Sequence, residues 1–114
     1  MEINQEGYCV SFNEIKQEIT CQGSLMLAGT EEYLPILELL KQASEQVSDS
    51  LTLNICNLDF INSSGINTMT KFVILVRNQK TPQLSIHYAA EQAWQMKLVS
   101  NLQRLMPDLL AVEQ

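Results

Sequence analysis

The spacing of apolar and polar positions along this chain changes several times, and each change marks an element. Over Tyr8–Phe12 the alternation is strict, with Tyr8, Val10 and Phe12 on one side and Cys9 and Ser11 on the other. A period of two with one apolar face is the pattern of a half-buried strand. Asn13 and Glu14 interrupt it, and in IKQEITC the residues Ile15, Ile19 and Cys21 again share a face. Two alternating runs split by two polar residues predict a hairpin. Asn-Glu is not a favoured two-residue turn, so it leaves the register open. Further on, Ile36, Leu37, Leu40, Ala43 and Val47 fall on one side of a helix, with Glu38, Lys41 and Glu45 elsewhere. Thr30 ahead of Glu31 and Glu32 suits a helix start, by capping and by the dipole. Pro35 deep in a helix would remove a hydrogen bond and crowd the previous turn, so either the helix proper begins near Pro35 or its first turn is irregular.

LTLNIC predicts a strand with Leu51, Leu53 and Ile55 pointing one way. An INSSG junction follows. Beyond it Ile66, Met69, Phe72, Val73 and Val76 recur at helical spacing. FVILV alone would also suit a strand, but the length of the periodic run favours helix. QKTPQ is a loop, and LSIHY a strand with Leu84, Ile86 and Tyr88 on one face. AEQAWQMKLVSNLQRL predicts a helix whose core candidates are Ala90, Ala93, Trp94, Val99 and Leu102. Pro107 ends it, and LLAV makes a short last strand. The predicted order is β-β-α-β-α-β-α-β, within one domain over 1–114. Strand–helix–strand units imply parallel pairs with right-handed crossovers, and the N-terminal hairpin adds an antiparallel edge. The fold class is therefore α/β: a mixed, mostly parallel sheet with helices packed against it.

Composition narrows the function. With 114 residues, 46% of them hydrophobic, the chain can bury a core without disulfides or metal. A net charge of -6 argues against nucleic acid and against an anionic membrane as partner. The charge is uneven: residues 1–59 hold ten acids and two bases, residues 60–114 three acids and five bases. The acidic half reads as a solvated surface or as a docking face. Cys9, Cys21 and Cys56 form no CxxC, and with one histidine they are a poor zinc set. They read as small buried or half-buried residues in a reducing compartment. The N-terminus shows no basic and apolar leader, and no apolar run reaches the length of a membrane span. The expected location is cytoplasmic.

Catalytic constellations are lacking in the sequence. A triad would depend on His87, far along the chain from the serine pair, and no G-x-S-x-G elbow is present. The four glycines form neither a G-x-G-x-x-G nor a P-loop. Glu31–Glu32 are explained by a helix start. The expectation is a protein that is not an enzyme and needs no cofactor and no metal. The chemistry worth weighing is the serine pair in DFINSSGINTM, Asp59–Met69. In one reading Asn62 or Ser63 caps the helix, Ser64 fills its first turn and Gly65 permits close packing. In the other, Ser63 is phosphorylated. A helix N-terminus tolerates the added charge of roughly -1.5 to -2, so the fold would survive while a docking face is altered.

The run LTLNICNLDFINSSGINTMTKFVILVR resembles the signature of the STAS domain, the fold of bacterial anti-sigma factor antagonists. Phe60, Ile61, Asn62, Ser63, Ser64 and Gly65 stand where that family shows a Phe, an apolar residue, Asp, Ser, Ser and Gly. ITCQGSLML is similar to the family's strand and its G-E-L-D segment, at Gly23–Met26, and EQAWQMKLVSNL to its third helix. The resemblance implies a partner-switching regulator that is phosphorylated on Ser63. It implies a kinase partner, an anti-sigma-type serine kinase of histidine-kinase-like ATPase fold that brings its own ATP, with a PP2C-like phosphatase restoring the free serine. The implied partner surface is Gly23, Ser24, Leu25 and Met26 together with Asn62, Ser63, Ser64, Gly65, Ile66, Asn67 and Thr68. Ser64 would be mainly structural. Three departures stand out: Asn62 replaces the family's Asp, Gly23–Met26 reads G-S-L-M, and no counterpart of the family's C-terminal helix follows the last strand. Other STAS domains bind partners without phosphorylation. A separate reading is a small-ligand or nucleotide sensor that holds a phosphate at the helix start, Ser63–Gly65.

Overall fold

The computed structural model describes residues 1–114. The strands are β1 (Glu2–Gln5), β2 (Tyr8–Asn13), β3 (Glu18–Leu25), β4 (Ser50–Asn54), β5 (Leu58–Ile61), β6 (Gln83–Tyr88) and β7 (Leu110–Glu113). The helices are α1 (Gly29–Glu32), α2 (Leu34–Gln46), α3 (Ser63–Gln79) and α4 (Ala93–Leu105). All seven strands join one mixed sheet in the order β1-β2-β3-β4-β6-β7, with β5 paired to β3 off that path. The β1–β2 and β2–β3 pairs are antiparallel, and every other pair is parallel. Successive strand–helix–strand units step the same way across the sheet. With right-handed crossovers, that brings the helices to one face.

The core lies between that face and the helices. Val10, Phe12, Ile19, Cys21, Leu51, Leu53, Leu84 and Ile86 are buried, while the alternate positions Ser11, Thr20, Thr52, Asn54, Ser85 and His87 are only partly covered. Leu40 and Ala43 of α2, Phe72 and Val76 of α3, and Val99 and Leu102 of α4 close the core from above. Burial of this kind stabilises by about 25 cal/mol per Å² of apolar surface, and it holds elements whose own propensities are weak.

Several expectations give way to local geometry. Ile15 does not share a face with Ile19. It sits at the tip of the β2–β3 turn, 96% exposed, because the loop spans four residues between the paired Asn13 and Glu18. The Asn13 side chain accepts from the Lys16 amide at 2.9 Å, and Gln17 takes a positive φ to close the loop. Thr30 is not a cap: Ala28 occupies that position, and Glu32 reaches back to accept from its amide at 2.8 Å. Pro35 does stand in the first turn of α2. The mostly polar run Glu2–Gln5, with Ile3 its one apolar residue, forms β1, an edge strand paired with β2. The last helix starts at Ala93, so Ala90 precedes it and Ala93 is exposed, while Gln95 and Leu98 take up buried places.

The largest departure concerns β5. Along one edge β3 pairs first with β4, through Glu18–Thr20, and then with β5, through Gly23–Leu25. The register shifts between Gly23 and Ser24. Gly23 has φ +85°, and a Cβ there would collide with the Gly7 carbonyl, so the bulge admits only glycine. The split lets β4 continue to β6 while β5 runs on beside β3 and delivers the chain to α3.

Candidate functional site

The site is built where β3 and β5 end and α3 begins. Leu25 pairs with Ile61, and the Asn62 amide donates to the Leu25 carbonyl at 3.0 Å. Asn62 then leaves the sheet in extended conformation and becomes the N-cap of α3. Its Oδ1 accepts from the Gly65 amide at 3.0 Å and from the Tyr33 hydroxyl at 2.7 Å. Its Nδ2 donates to the Leu27 carbonyl at 2.8 Å. These contacts orient the amide, since reversal would set NH₂ against the Gly65 N–H and Oδ1 against the Leu27 carbonyl. Tyr33 is 1% exposed, and burial pushes its phenol up, so it remains the protonated donor that Asn62 needs. One side chain thus ties the end of β3, the α1–α2 junction and the start of α3 together.

This explains the asparagine where the STAS pattern has an acid. An ionised aspartate keeps both acceptor bonds but turns its second oxygen toward the Leu27 carbonyl. Asn62→Asp is therefore expected to lower stability by about 1–2 kcal/mol at neutral pH. Urea unfolding of both proteins at about pH 7 measures it, and equal stability would reject the explanation.

Around this hub the sequence-derived residues separate by exposure. Ser63 is the first helical residue and is exposed; Ser64 is half-buried. Gly65 is buried, and a Cβ there would lie 2.5 Å from Ile61 Cγ1 and 2.8 Å from the Tyr33 oxygen. Ile66 is not a core residue as its spacing suggested. It is 38% exposed, and Asn67 beside it is exposed too. Thr68 is buried, its hydroxyl donating to the Ser64 carbonyl at 2.9 Å. Of Gly23–Met26 only Met26 is well exposed, at 65%, whereas Leu25 is wholly buried and Gly23 and Ser24 are half-buried. Leu25 and Thr68 therefore offer no side chain to a partner in this conformation.

Two contributors, Tyr33 and Gln95, escape a reading of the sequence, and a third matches the STAS signature but is not placed by it on the partner surface. Phe60, on β5, is 46% exposed. Tyr33 supplies the hydroxyl to Asn62 and gives no sign of it beyond being an aromatic at a helix junction. Gln95 is fully buried and anchors α4. Its Oε1 accepts from the Ala89 amide at 2.7 Å, and its Nε2 donates to the Ile55 and Leu58 carbonyls at 2.8 and 3.0 Å. It thereby holds α4 against the β4–β5 split. Between β5, α3 and α4 lies a groove of about 350 Å³ lined by Phe60, Ile61, Ile66, Trp94, Lys97, Leu98 and Asn101. No cavity is lined by Ser63, Ser64 or Gly65, so nothing encloses a phosphate-bearing ligand at the helix start. Burial pushes the Cys21 thiol up to about 12, with Cys9 nearby adding to the effect. No helix is long and apolar enough to cross a membrane.

No protein-family model and no curated protein sequence matches the chain. Solved structures do. A crystal structure of the diguanylate cyclase SiaD in complex with its activator SiaC, from Pseudomonas aeruginosa, superimposes with TM-score 0.74 at 14% identity, covering 100% of this chain and 99% of that one. Apo-SiaC from the same organism gives 0.72 at 12% identity, covering 100% and 98%. A further SiaC structure gives 0.71 at 14% identity, covering 99% and 93%. At these identities the likeness establishes the fold. It also corrects the partner set implied by the STAS resemblance. In that complex the protein engaged is a diguanylate cyclase, in place of the histidine-kinase-like serine kinase.

Proposed function

We propose that this chain is a non-catalytic, cytoplasmic regulatory module with a STAS-like, partner-switching mode of action. It docks on another signalling protein through Met26, Phe60 and the first turn of α3, and the charge on Ser63 decides whether it docks. The observation that carries this reading is the setting of Ser63. Ser63 is exposed at the first position of a 17-residue helix, three residues along the chain from each of the exposed apolar residues Phe60 and Ile66. Exposed apolar side chains beside a modifiable hydroxyl suit a surface that is covered in one state and released in another. The likeness to SiaC, an activator, supports regulation by docking, and a diguanylate cyclase is the partner class it favours.

A phosphate at Ser63 faces the positive end of the α3 dipole, so the free domain tolerates it. Once covered by a partner, the same charge is desolvated without a counter-ion, which costs several kcal/mol. The test uses protein carrying phosphoserine inserted at Ser63 during translation, alongside unmodified protein. Both serve as bait in native lysate, and calorimetry follows with the recovered partner. Binding should weaken about a hundredfold or more, corresponding to about 2.8 kcal/mol, while the unfolding temperature of the free domain stays unchanged. Equal affinity of the two forms would reduce Ser63 to an ordinary first-turn residue. Ser63→Ala should retain binding.

A further inference from the structure

We propose that the groove between β5, α3 and α4 is a binding site for a small anionic amphiphile, an apolar chain ending in a carboxylate. Its volume, about 350 Å³, falls at the lower end of the range for small-molecule sites. Phe60, Ile66, Trp94 and Leu98 make most of its wall, and Phe60 and Ile66 stay partly exposed while it is empty. An apolar chain laid between them removes that surface from water. The polar end is set by α4. Lys97 and Asn101 follow Trp94 at three and seven residues, so all three share one helix face. Lys97 is the only ionisable residue in the lining, and no acid opposes it. In a chain of net charge -6 this is a local cationic point, complementary to a single negative head.

A second observation concerns the indole. Trp94 Nε1 is buried, and it alone among buried side-chain polar atoms has no hydrogen-bond partner. An indole N–H can only donate. Trp94 lines the groove, and a turn of its ring on ligand binding would bring this donor to a carboxylate beside the Lys97 ammonium. Apolar walls, one cation, one stranded donor and an amide together fit a fatty-acid-like carboxylate better than a sugar or a cation. Ile66 lies one turn beyond Ser63 on α3, so the ligand and the docking surface share a wall.

Trp94 is the only tryptophan in the chain, so its emission reports the groove directly. Titration of the intact protein with decanoate below its micelle concentration should give a saturable spectral shift. Lys97→Met should weaken binding about tenfold. Lys71→Met, on the exposed side of α3, should leave it unchanged, and Ile66→Glu should abolish it. Decanol should bind about tenfold more weakly than decanoate, because it lacks the charge. No saturable response, equal effects of the two lysine changes, or equal binding of decanol would each overturn the assignment. A failed titration in which Ile66→Glu still lowers capture of a protein partner would assign the groove to a protein side chain instead.

Discussion

Replacing Gln95 with leucine is expected to remove about 3–4 kcal/mol of unfolding free energy, a large fraction of what a domain of this size possesses. Leucine fills much the same volume, so the loss is not mainly a cavity. It strips a buried site of its only side-chain donor and acceptor. The Ala89 amide loses its acceptor at 2.7 Å and the Leu58 carbonyl its donor at 3.0 Å. The Ile55 carbonyl fares better, because it still receives the Leu58 amide at 3.0 Å. Buried backbone groups left without partners carry the full desolvation penalty, about 1–3 kcal/mol each. Urea unfolding gives the stability, and amide hydrogen exchange shows where it is lost. Protection should fall first at the start of α4 and at the β4–β5 connection. A loss below about 1 kcal/mol would mean that water or a backbone shift takes over these bonds.

Gly65→Leu is expected to cost about 4 kcal/mol, against less than about 1 kcal/mol for Ser63→Ala at the neighbouring exposed position. The reason is space and not backbone conformation. A Cβ at this position would stand 2.5 Å from Ile61 Cγ1 and 2.8 Å from the Tyr33 oxygen. Both neighbours are buried, at 5% and 1% exposure, so a new Cβ displaces packed side-chain atoms. Displacing the Tyr33 hydroxyl also breaks its 2.7 Å bond to Asn62 and so loosens the N-cap of α3. Gly65→Ala makes the same Cβ contacts without the rest of the leucine side chain and should cost about 2 kcal/mol. Thermal unfolding of the three variants ranks them. An alanine variant as stable as the wild type would show that the contact relaxes, and that Gly65 has no packing role.

The two variants probe opposite sides of one platform. Gln95 holds α4 to the sheet, and Gly65 lets α3 settle onto β5 and Tyr33. Ser63 takes part in neither network. A charge at Ser63 can therefore change what docks without changing what folds, and the two kinds of variant should separate cleanly in calorimetry and in unfolding.

The order of the main strands and helices, their mostly parallel pairing and the antiparallel N-terminal hairpin were legible in the sequence. They rest on periodicity, which is local: Val10 and Phe12 alternate, and Leu40 and Ala43 recur on one helix face, whatever lies beyond them. Asn62 as one of two candidate caps, and a start of α2 near Pro35 as one of two readings there, were legible for the same reason. What escaped depends on neighbours distant in the chain. β1 has no apolar pattern because its strandedness comes from the backbone of β2. β5 read as a junction because it is short and owes its place to the lower edge of β3 beyond a glycine bulge. Ile66 carries the helical spacing of a core residue yet stays at the surface, because α4 does not reach over it and a groove remains. Asn62 in place of the family's Asp stood in the sequence only as a departure from the pattern. Only the Leu27 carbonyl, 35 residues away in the chain and 2.8 Å away in space, makes it a gain of a donor. Patterning along the chain determined which faces are apolar. The tertiary structure decided which of those faces are covered, and it is the uncovered remainder that makes the candidate site.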